Sequence, residues 1–460
     1  MLDSIISTEI APWRRKHDLK RVDRGTGSFW EADWVRPAFI VRDRCVVCAI
    51  LGRMRNSFMK VLLVHNKYRT SAPSGEDEAV ENERRMLEGR GVEVVTFARC
   101  NDDIDDSSWT ARASLAVNTI WSQRSRTALR AVLRKVRPDL VHVHNTFSLL
   151  SPSVYGACKA ERVPVVQTLH NFRFFCPAAL FLRNGKPCEE CLDHTLLQSV
   201  RHRCYRNSAS ATATLATMLA IHRMIGTYSR DIDRYITLTE FARKKAVKGG
   251  IAANKLVTKP NFILNPPAAG LGGGGYVAYV GRLLEGKGTE TLVAAWRALP
   301  NVRLRILGDG ALGPKLEALA LREGLNIEFA GRQPKSVVLS VIANAEFLVV
   351  PSECYEGFPM VVAESYACGT PVLAARIGSL DELIEDGVTG RKFTAADSSA
   401  LVQGVQRMLS DRDGLRHMRA QARAYFDRYL TEEQNYARLM HIYSEVIEGS
   451  ARGLMRLAGT

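Results

Sequence analysis

Two glutamates eight positions apart, Glu356 and Glu364, lie in a stretch whose residue types suit the binding of a sugar or a ribose. A carboxylate accepts hydrogen bonds from hydroxyl groups, and two carboxylates at one site can hold a polyhydroxylated ligand in one orientation. The alternative is an ordinary strand, loop and helix whose glutamates are solvated. Two glutamates alone do not decide between these interpretations, since short motifs also match by chance.

The elements around this pair are those of a parallel sheet. Residues 347–350 and 371–375 are short apolar runs, as expected of strands that are buried on both faces. Pro359 suits the first position of a helix between them. The order predicts that Glu356 lies in the loop after a strand and Glu364 about one turn into the helix. Open α/β sheets bind ligands at this edge.

A second stretch, residues 281–289, has the composition of a phosphate-binding loop. Its sequence is GRLLEGKGT, and it follows the apolar run 276–280. A nucleoside triphosphatase loop of the Walker type requires Ser or Thr directly after its lysine, and Gly288 occupies that position here. Arg282 and Lys287 still suit a phosphate group, because a guanidinium, an ammonium and a helix N-terminus offset phosphate charge without a metal ion.

The first half of the chain also contains apolar runs that end in polar residues. Residues 139–144 and 163–169 are predicted strands, and His170 with Asn171 follows the second of them. These strand ends should point into one cleft. An imidazole there can donate a hydrogen bond to a sugar hydroxyl or stabilise developing charge, and with an ordinary pKa of about 6.5 it has access to both protonation states. The acidic first turn that begins at Glu76 is assigned to the helix dipole.

The order and spacing of these motifs resemble the signature of the retaining family 4 glycosyltransferases, over about residues 59–448. The resemblance implies the GT-B fold, an α/β architecture of two Rossmann-like domains whose parallel sheets face an interdomain cleft. Each residue that matches the signature then has an implied place at the site. These are His170 and Glu356 at the reacting sugar, Arg282 and Lys287 at the donor diphosphate, Phe358, Met360 and Glu364 at the donor sugar and ribose, and Gly75 at the cleft wall.

The resemblance implies a retaining hexosyltransferase that uses a nucleotide diphosphate sugar. Its expected acceptor is a glycan or a lipid-linked glycan in envelope, capsule or exopolysaccharide synthesis. No cofactor is implied for catalysis, and no metal ion in the active site. Two alternatives stay open, a GT-B sugar-nucleotide epimerase and a catalytically inactive sugar-nucleotide-binding subunit. The full set of matching residues disfavours the inactive subunit.

The composition is that of a globular protein with room for two domains. Of 460 residues, 46% are hydrophobic and 24% are charged. No run is long and apolar enough for a membrane span, and the start lacks the order of a signal peptide, so the predicted location is cytoplasmic. No nucleic-acid-binding motif accompanies the net charge of +15. That charge instead suits anionic phosphates and peripheral contact with the inner face of an anionic membrane.

The chain divides into segments by composition. The strongest break is the Pro, Asn and Gly cluster at 261–275, which is the predicted linker. The other segments are an unassigned extension at 1–58, a first domain at 59–260 with a cysteine-containing insertion at 172–209, a second domain at 276–430, and a C-terminal helix at 431–460. The resemblance predicts that this helix crosses back to the first domain. The extension shows no sustained period, so the hypothesis is that Met59 is the true start or that the segment before it is a dispensable appendage.

Four cysteines in the insertion have the spacing C-x11-C-x2-C-x12-C. They are Cys176, Cys188, Cys191 and Cys204. Four thiolates can form a tetrahedral zinc site, although a second close pair is missing. The alternative is a set of free, partly buried cysteines. Disulfides are disfavoured in a cytosolic protein.

Overall fold

Parallel strands alternate with helices along the described part of the chain. The structure is a computed structural model that describes residues 59–71, 74–105 and 107–458, all within one compact unit. The interpretation of residues 1–58 as an extension, with Met59 as the start, therefore lies outside the described residues.

The first half of the described chain contains eight strands and nine helices of the α type. The strands are β1 (Lys60–Lys67), β2 (Glu93–Cys100), β3 (Leu140–Asn145), β4 (Val165–Leu169), β5 (Leu182–Arg183), β6 (Lys186–Pro187), β7 (Arg234–Thr237) and β8 (Leu256–Thr258). The helices are α1 (Gly75–Gly89), α2 (Trp109–Ile120), α3 (Gln123–Val136), α4 (Ser153–Ala160), α5 (Glu190–Asp193), α6 (Leu197–Arg201), α7 (Ala209–Met224), α8 (Thr227–Arg230) and α9 (Glu240–Lys248).

The second half continues with six strands and eight helices in the described residues. The strands are β9 (Tyr276–Val280), β10 (Arg303–Leu307), β11 (Ile327–Phe329), β12 (Leu348–Val350), β13 (Val372–Ala375) and β14 (Gly390–Phe393). The helices are α10 (Thr289–Trp296), α11 (Gly313–Arg322), α12 (Lys335–Asn344), α13 (Met360–Ala367), α14 (Gly378–Leu383), α15 (Ser398–Ser410), α16 (Arg412–Tyr429) and α17 (Glu432–Ala458).

Each half builds one six-stranded, wholly parallel sheet. The first has the order β2-β1-β3-β4-β7-β8 and the second β11-β10-β9-β12-β13-β14. The chain reverses its direction of progress across the sheet between β1 and β3 in the first domain, and between β9 and β12 in the second. Ligands of such sheets bind beyond the carboxyl ends of the strands at these reversals. The loops that follow β1, β3, β9 and β12 therefore lie at these reversals.

The apolar runs form strands because helices cover both faces of each sheet. Val61, Leu62, Leu63 and Val64 of β1 are fully buried, and alternate residues enter different hydrophobic clusters. In the second domain Phe347 and Val349 likewise face one cluster, while Leu348 faces another. This two-sided burial confirms the predicted parallel-sheet architecture.

The long helix α17 leaves the second domain and packs on the first. Its buried residues Leu439, Ile442 and Tyr443 share a cluster with Val61 of β1 and Ile236 of β7. The C-terminal helix therefore connects the two domains by packing against one face of the first sheet. The antiparallel pair β5 and β6 forms a small hairpin in the insertion between β4 and α7.

Candidate active site

The carboxyl ends of the two sheets meet at an interdomain cleft. A Cβ atom added at Gly357, in the loop after β12, would lie 2.2 Å from the carbonyl oxygen of His170, after β4. Real Cβ atoms do not come so close to an oxygen, so only glycine fits at 357. A Cβ atom at Gly75 would lie 3.7 Å from Met360 Cγ, which is an ordinary contact. Gly75 thus lies at the cleft wall, but a Cβ atom at this position would not clash with the surrounding protein.

Lys287 and Glu356 form an ion pair in this cleft. Lys287 Nζ lies 2.7 Å from Glu356 Oε1, and Ser352 Oγ donates to the same oxygen at 2.7 Å. Burial opposes ionisation of Glu356, but the charges of Lys287 and Arg282 outweigh it and lower the pKa of the carboxyl. Glu356 is therefore an ionised hydrogen-bond acceptor held beside two cations.

Glu364 lies on α13, one side of its carboxylate facing the first domain. The side chain is buried, and its Oε1 contacts the ammonium of Lys335. The same ammonium lies 2.8 Å from Oε1 of Glu78, on α1 of the first domain. Burial raises the pKa of Glu364, against the opposing charge of Lys335. Lys335 thus joins the predicted ribose carboxylate to the opposite wall of the cleft.

An open cavity of about 560 Å³ lies next to Arg282 and Glu78. Arg282, Asp309 and Arg332 line it from the second domain, and Ser71 and Glu78 line it from the first. The volume lies in the range of small-molecule sites, and the lining follows the carboxyl ends of β9, β10 and β11. Arg282 is exposed, so its guanidinium can contact a ligand that enters this cavity.

His170 stands at the other side of the cleft, partly exposed. Its Nε2 lies 3.0 Å from Nδ1 of His144, at the end of β3. Burial, with the neighbouring His144, holds the pKa of His170 well below its usual range. The imidazole is therefore neutral at about pH 7, whereas the sequence left both protonation states open.

Phe358 and Met360 can offer main-chain groups to a ligand. The ring of Phe358 is buried in the second domain's core. Helix α13 begins at Met360, and Pro359 occupies the preceding cap position, one residue earlier than the sequence pattern predicts. Val362 N–H donates to the carbonyl of Pro359, whereas the amides of the first two helical residues, Met360 and Val361, precede the intrahelical pattern and are available to an anionic or hydroxyl ligand.

Sequence reasoning missed one buried carboxyl beside the site. Glu76 follows Gly75, and its Oε2 accepts hydrogen bonds from Tyr68 Oη at 3.2 Å and Asn171 Nδ2 at 3.1 Å. Burial raises the pKa of Glu76 to about 7. The helix dipole was the predicted role of this acidic turn, but within it Asp77 makes the capping box with Ser74. In the sequence nothing distinguishes Glu76 from the two acidic residues that follow it, so the burial of its side chain could not be predicted.

The four cysteines of the insertion lie near one another without forming a closed ligand set. Burial and the nearby Cys176, Cys204 and Cys188 raise the pKa of the Cys191 thiol to about 11. Among the described residues, however, Glu83, His142 and His144 are the one group of potential metal ligands within 4.8 Å of one another. The sulfurs would have to approach one another to bind zinc, and the zinc site stays a prediction.

Two parallel six-stranded sheets that face each other across a cleft define the GT-B fold. Two family models match the chain, one on each domain. Residues 77–263 match Glycosyltransferase Family 4, and residues 269–425 match Glycosyl transferases group 1. The two matches together span well over half of the sequence. The chain belongs to the group 1 glycosyltransferases of GT-B fold.

Curated proteins show the same likeness over parts of their length. The chain is 38% identical to an uncharacterised glycosyltransferase of Methanocaldococcus jannaschii over 113 residues, which are 24% of this chain and 32% of that protein. It is 29% identical to the D-inositol 3-phosphate glycosyltransferase of Nocardia farcinica over 302 residues, 62% of each protein. The chain thus spans less than two thirds of the length of either relative.

Solved structures confirm the predicted fold. The Anabaena protein HepE, in complex with UDP-glucose, superposes with a TM-score of 0.59 at 18% identity, over 84% of this chain and 100% of that one. The sucrose-phosphate synthase of Thermosynechococcus elongatus gives a TM-score of 0.63 at 18% identity, over 85% and 100%. At such identities the likeness establishes the architecture, and the chemistry has to be argued from the site.

Proposed function

We propose that this protein transfers a hexose from a nucleotide diphosphate sugar to a glycan or lipid-linked acceptor, with retention of configuration, in envelope, capsule or exopolysaccharide synthesis. The observation that carries the proposal is the ion pair of Lys287 and Glu356 beside Arg282, which itself lines an open cavity. The complex of HepE with UDP-glucose supports a nucleotide sugar as the donor.

The donor diphosphate would lie between Arg282, Lys287 and the N-terminus of α10. An ammonium has three donors, so Lys287 can keep its bond to Glu356 while it binds a phosphate oxygen. The arginine fork can bind two phosphate oxygens at once. This arrangement would fix the diphosphate next to the carboxylate that reads the sugar.

These groups match the charges that develop in the reaction. As the bond between the sugar's anomeric carbon and the phosphate oxygen breaks, negative charge gathers on the phosphate and positive charge on the sugar ring. Arg282 and Lys287 would stabilise the first, and hydrogen bonds from sugar hydroxyls to the ionised Glu356 would strengthen with the second. No change in the positions of the charged groups is needed, because they are already paired.

The acceptor would enter from the side of the first domain, where His170 lies. Helices α2 and α7 pack together there and expose large apolar side chains, among them Trp109, Val117 and Met224. Exposed apolar residues on a basic protein support peripheral docking on an anionic membrane that carries a lipid-linked acceptor. None of the helices in the described residues has the length and apolar character needed to cross a membrane.

The proposal is tested with a panel of nucleotide sugars, first by thermal stabilisation and then by turnover. A donor at a hundred times its dissociation constant should add about 2.7 kcal/mol to stability, which a melting assay resolves. Products formed with the stabilising donor on glycan and lipid-linked primers are then analysed by NMR for the configuration of the new linkage. We expect the donor's configuration to be kept, and inversion would contradict the proposal.

Two controls separate the alternatives. Rapid interconversion of sugar nucleotides in the absence of any acceptor would identify an epimerase. Binding of nucleotide sugars with no turnover on any primer, under conditions where a second glycosyltransferase works, would favour the inactive binding subunit.

A further inference from the structure

Histidine side chains form a buried ladder on one face of the first sheet, next to the cleft. His142 and His144 alternate along β3, and Thr168 and His170 stand two positions apart at the end of the neighbouring β4. His142 Nε2 lies 2.7 Å from Thr168 Oγ1, and His144 Nδ1 lies 3.0 Å from His170 Nε2. The two strands are thus joined by two successive cross-strand side-chain pairs, the second of which reaches the active site.

Glu83 of α1 covers the buried end of this ladder. Its Oε2 lies 3.2 Å from Lys259 Nζ, and its Oε1 lies 3.4 Å from His144 Nε2. His142 Nδ1 also approaches Oε1, at 2.9 Å, but it is hydrogen-bonded to the hydroxyl of Tyr443 at 2.7 Å. Burial opposes the charge of Glu83, yet Lys259 and His142 hold its pKa well below the usual range. An ionised carboxylate therefore faces Nε2 of His144.

A metal ion is a poor occupant for this cluster. Glu83, His142 and His144 do offer atoms within 4.8 Å of one another. The ammonium of Lys259, however, already compensates the carboxylate and would repel a second cation. Both ring nitrogens of His142 also have hydrogen-bond partners. The cluster is better suited to ordering protons than to binding a metal.

The ring protons of His144 and then of His170 can be assigned in turn, starting from the carboxylate of Glu83. A proton on Nε2 of His144 is favoured, because a bare nitrogen there would face negative charge. Burial lowers the pKa of His144 to about 3, so the ring carries one proton and its Nδ1 is an acceptor. The 3.0 Å contact then requires His170 to donate from Nε2. The neutral His170 is left with a bare Nδ1, which has no hydrogen-bond partner among the described residues.

We propose that Glu83 and His144 are positioning residues that hold His170 in its Nε2-protonated tautomer, so that its Nδ1 presents a lone pair to the cleft. Nδ1 would accept a hydrogen bond from a hydroxyl of the donor sugar or the acceptor, and this identification of the ligand rests on the proposed function. If these histidines served only to stabilise the sheet, the tautomer of His170 would not affect turnover.

The experiment reads the tautomer directly, by long-range nitrogen–proton NMR correlation on the protein labelled at its histidine ring nitrogens. The signals of His170 are assigned by their loss in His170→Gln. In the wild-type protein at about pH 7 we expect the pattern of a neutral ring with its proton on Nε2. A pattern with the proton on Nδ1 would overturn the proposal, whatever the activity of the protein.

Two variants of His144 test the connection. His144→Phe fills a similar volume without an acceptor, so His170 should populate both tautomers and turnover should fall by about tenfold or more, the worth of one hydrogen bond. His144→Gln can keep the order, with its amide N–H toward Glu83 and its carbonyl toward His170, and should retain the Nε2 tautomer. Thr168→Val is the matched control, since it removes the other rung of the ladder and leaves His170 paired with His144.

The outcomes separate this inference from the proposed function. An unchanged tautomer in His144→Phe would contradict the positioning role. A changed tautomer with normal turnover would support the positioning role and would remove His170 from the chemistry. If His144→Phe does not fold, the wild-type spectrum still decides the tautomer of His170, and a His170 proton on Nδ1 in His144→Gln would contradict the positioning role.

Discussion

Nζ of Lys287 lies 2.7 Å from Oε1 of Glu356, so the cation predicted to bind the donor's phosphate is already bonded to the carboxylate predicted to bind its sugar. The pair comes from two loops at the strand reversal of the second sheet, after β9 and after β12. Although burial opposes it, Lys287 lowers the pKa of Glu356, so this carboxylate is charged before any ligand arrives. The site is thus electrostatically arranged in advance, which is how enzymes stabilise developing charge without reorganisation.

Removing either cation of this arrangement should reduce turnover with little effect on folding. We expect Arg282→Ala and Lys287→Ala each to lower the rate by on the order of 10²-fold, as loss of other charge-stabilising donors does. Lys287→Ala should also raise the pKa of Glu356, so the acidic limb of its rate profile should move to higher pH. Lys315→Ala is the control, because it removes an exposed lysine paired with Glu290 in the same domain. Near-normal turnover of Lys287→Ala would remove this residue from the site.

The contact between Gly357 and the His170 carbonyl predicts a severe effect of one methyl group. Gly357→Ala would place a Cβ atom 2.2 Å from that oxygen, so the loop that carries Glu356 must shift. We expect a loss of about 1–3 kcal/mol of stability from overpacking and a fall in turnover. Gly89→Ala is the control, since no atom lies within 4 Å of its added Cβ. Melting temperature and rate are measured for both, and a fully active Gly357→Ala would show that the cleft tolerates the shift.

Glu76 should make stability depend on pH in the neutral range. Burial raises its pKa from 4.5 to about 7, so the folded protein binds this proton more tightly than the unfolded chain. The contribution is fully present below the unfolded pKa and is lost as the pH rises through the folded value. Glu76→Gln keeps an acceptor for Tyr68 and Asn171 but cannot ionise. Its stability relative to wild type should therefore rise between about pH 5 and about pH 8, by up to roughly 3 kcal/mol.

The measurement for Glu76 compares thermal unfolding of the two proteins at several pH values. Glu93→Gln, at a half-exposed side chain on β2, controls for loss of one carboxylate from the first domain. A constant difference between Glu76→Gln and wild type across this range would show that Glu76 is ionised normally in the folded protein.

The zinc prediction concerns the insertion. Freshly purified, untagged protein should carry about one zinc ion, bound through Cys188 and Cys191 with Cys176, Cys204 or nearby histidines. The sulfurs must deprotonate and draw together on binding, which would lower the raised pKa of Cys191. Metal analysis is made on wild type and on Cys188→Ser, with the buried Cys368→Ser as control. Absence of zinc from the wild-type protein would assign the four cysteines to ordinary packing.

Local patterns were sufficient to predict the strands whose ends carry the candidate site. An apolar run such as residues 61–64, fully buried on both faces, has few structures open to it besides a parallel strand. The same patterns placed Glu356 after β12 and Glu364 on α13, because loop and helix boundaries are set by nearby residues. Pro359 was misplaced by one position, since a proline suits both the cap and the first turn.

Contacts between distant segments were beyond such patterns. Lys335 pairs with both Glu364 and Glu78, which belong to different domains. No pattern in the sequence near any of these residues predicts this contact. The histidine ladder left a trace in the alternation of His142 with His144 and of Thr168 with His170. The sequence does not show that β3 pairs with β4, and only this pairing brings His144 within hydrogen-bonding distance of His170.

The last prediction separates Glu356 from Glu364. If Glu364 binds the ribose, Glu364→Gln should weaken the binding of both the donor and the free nucleoside diphosphate, because both ligands contain the ribose. Lys335 would still be paired with Glu78, so the fold should hold. Glu356→Gln should leave the affinity for nucleoside diphosphate nearly unchanged and depress turnover, because its partner hydroxyls exist only in the intact donor. Each loss should amount to roughly 1.5–3 kcal/mol, about ten- to a hundredfold.

Calorimetry gives the two affinities for each variant, and a product assay gives the rate. Glu323→Gln is the control, since it removes one carboxylate of an exposed pair with Arg297 in the same domain. Equal weakening of nucleoside diphosphate binding by Glu356→Gln and Glu364→Gln would show that both carboxylates contact the nucleotide. No weakening by either would place the nucleotide outside the cavity beside Arg282, because a ribose bound there would have lost its acceptor on α13.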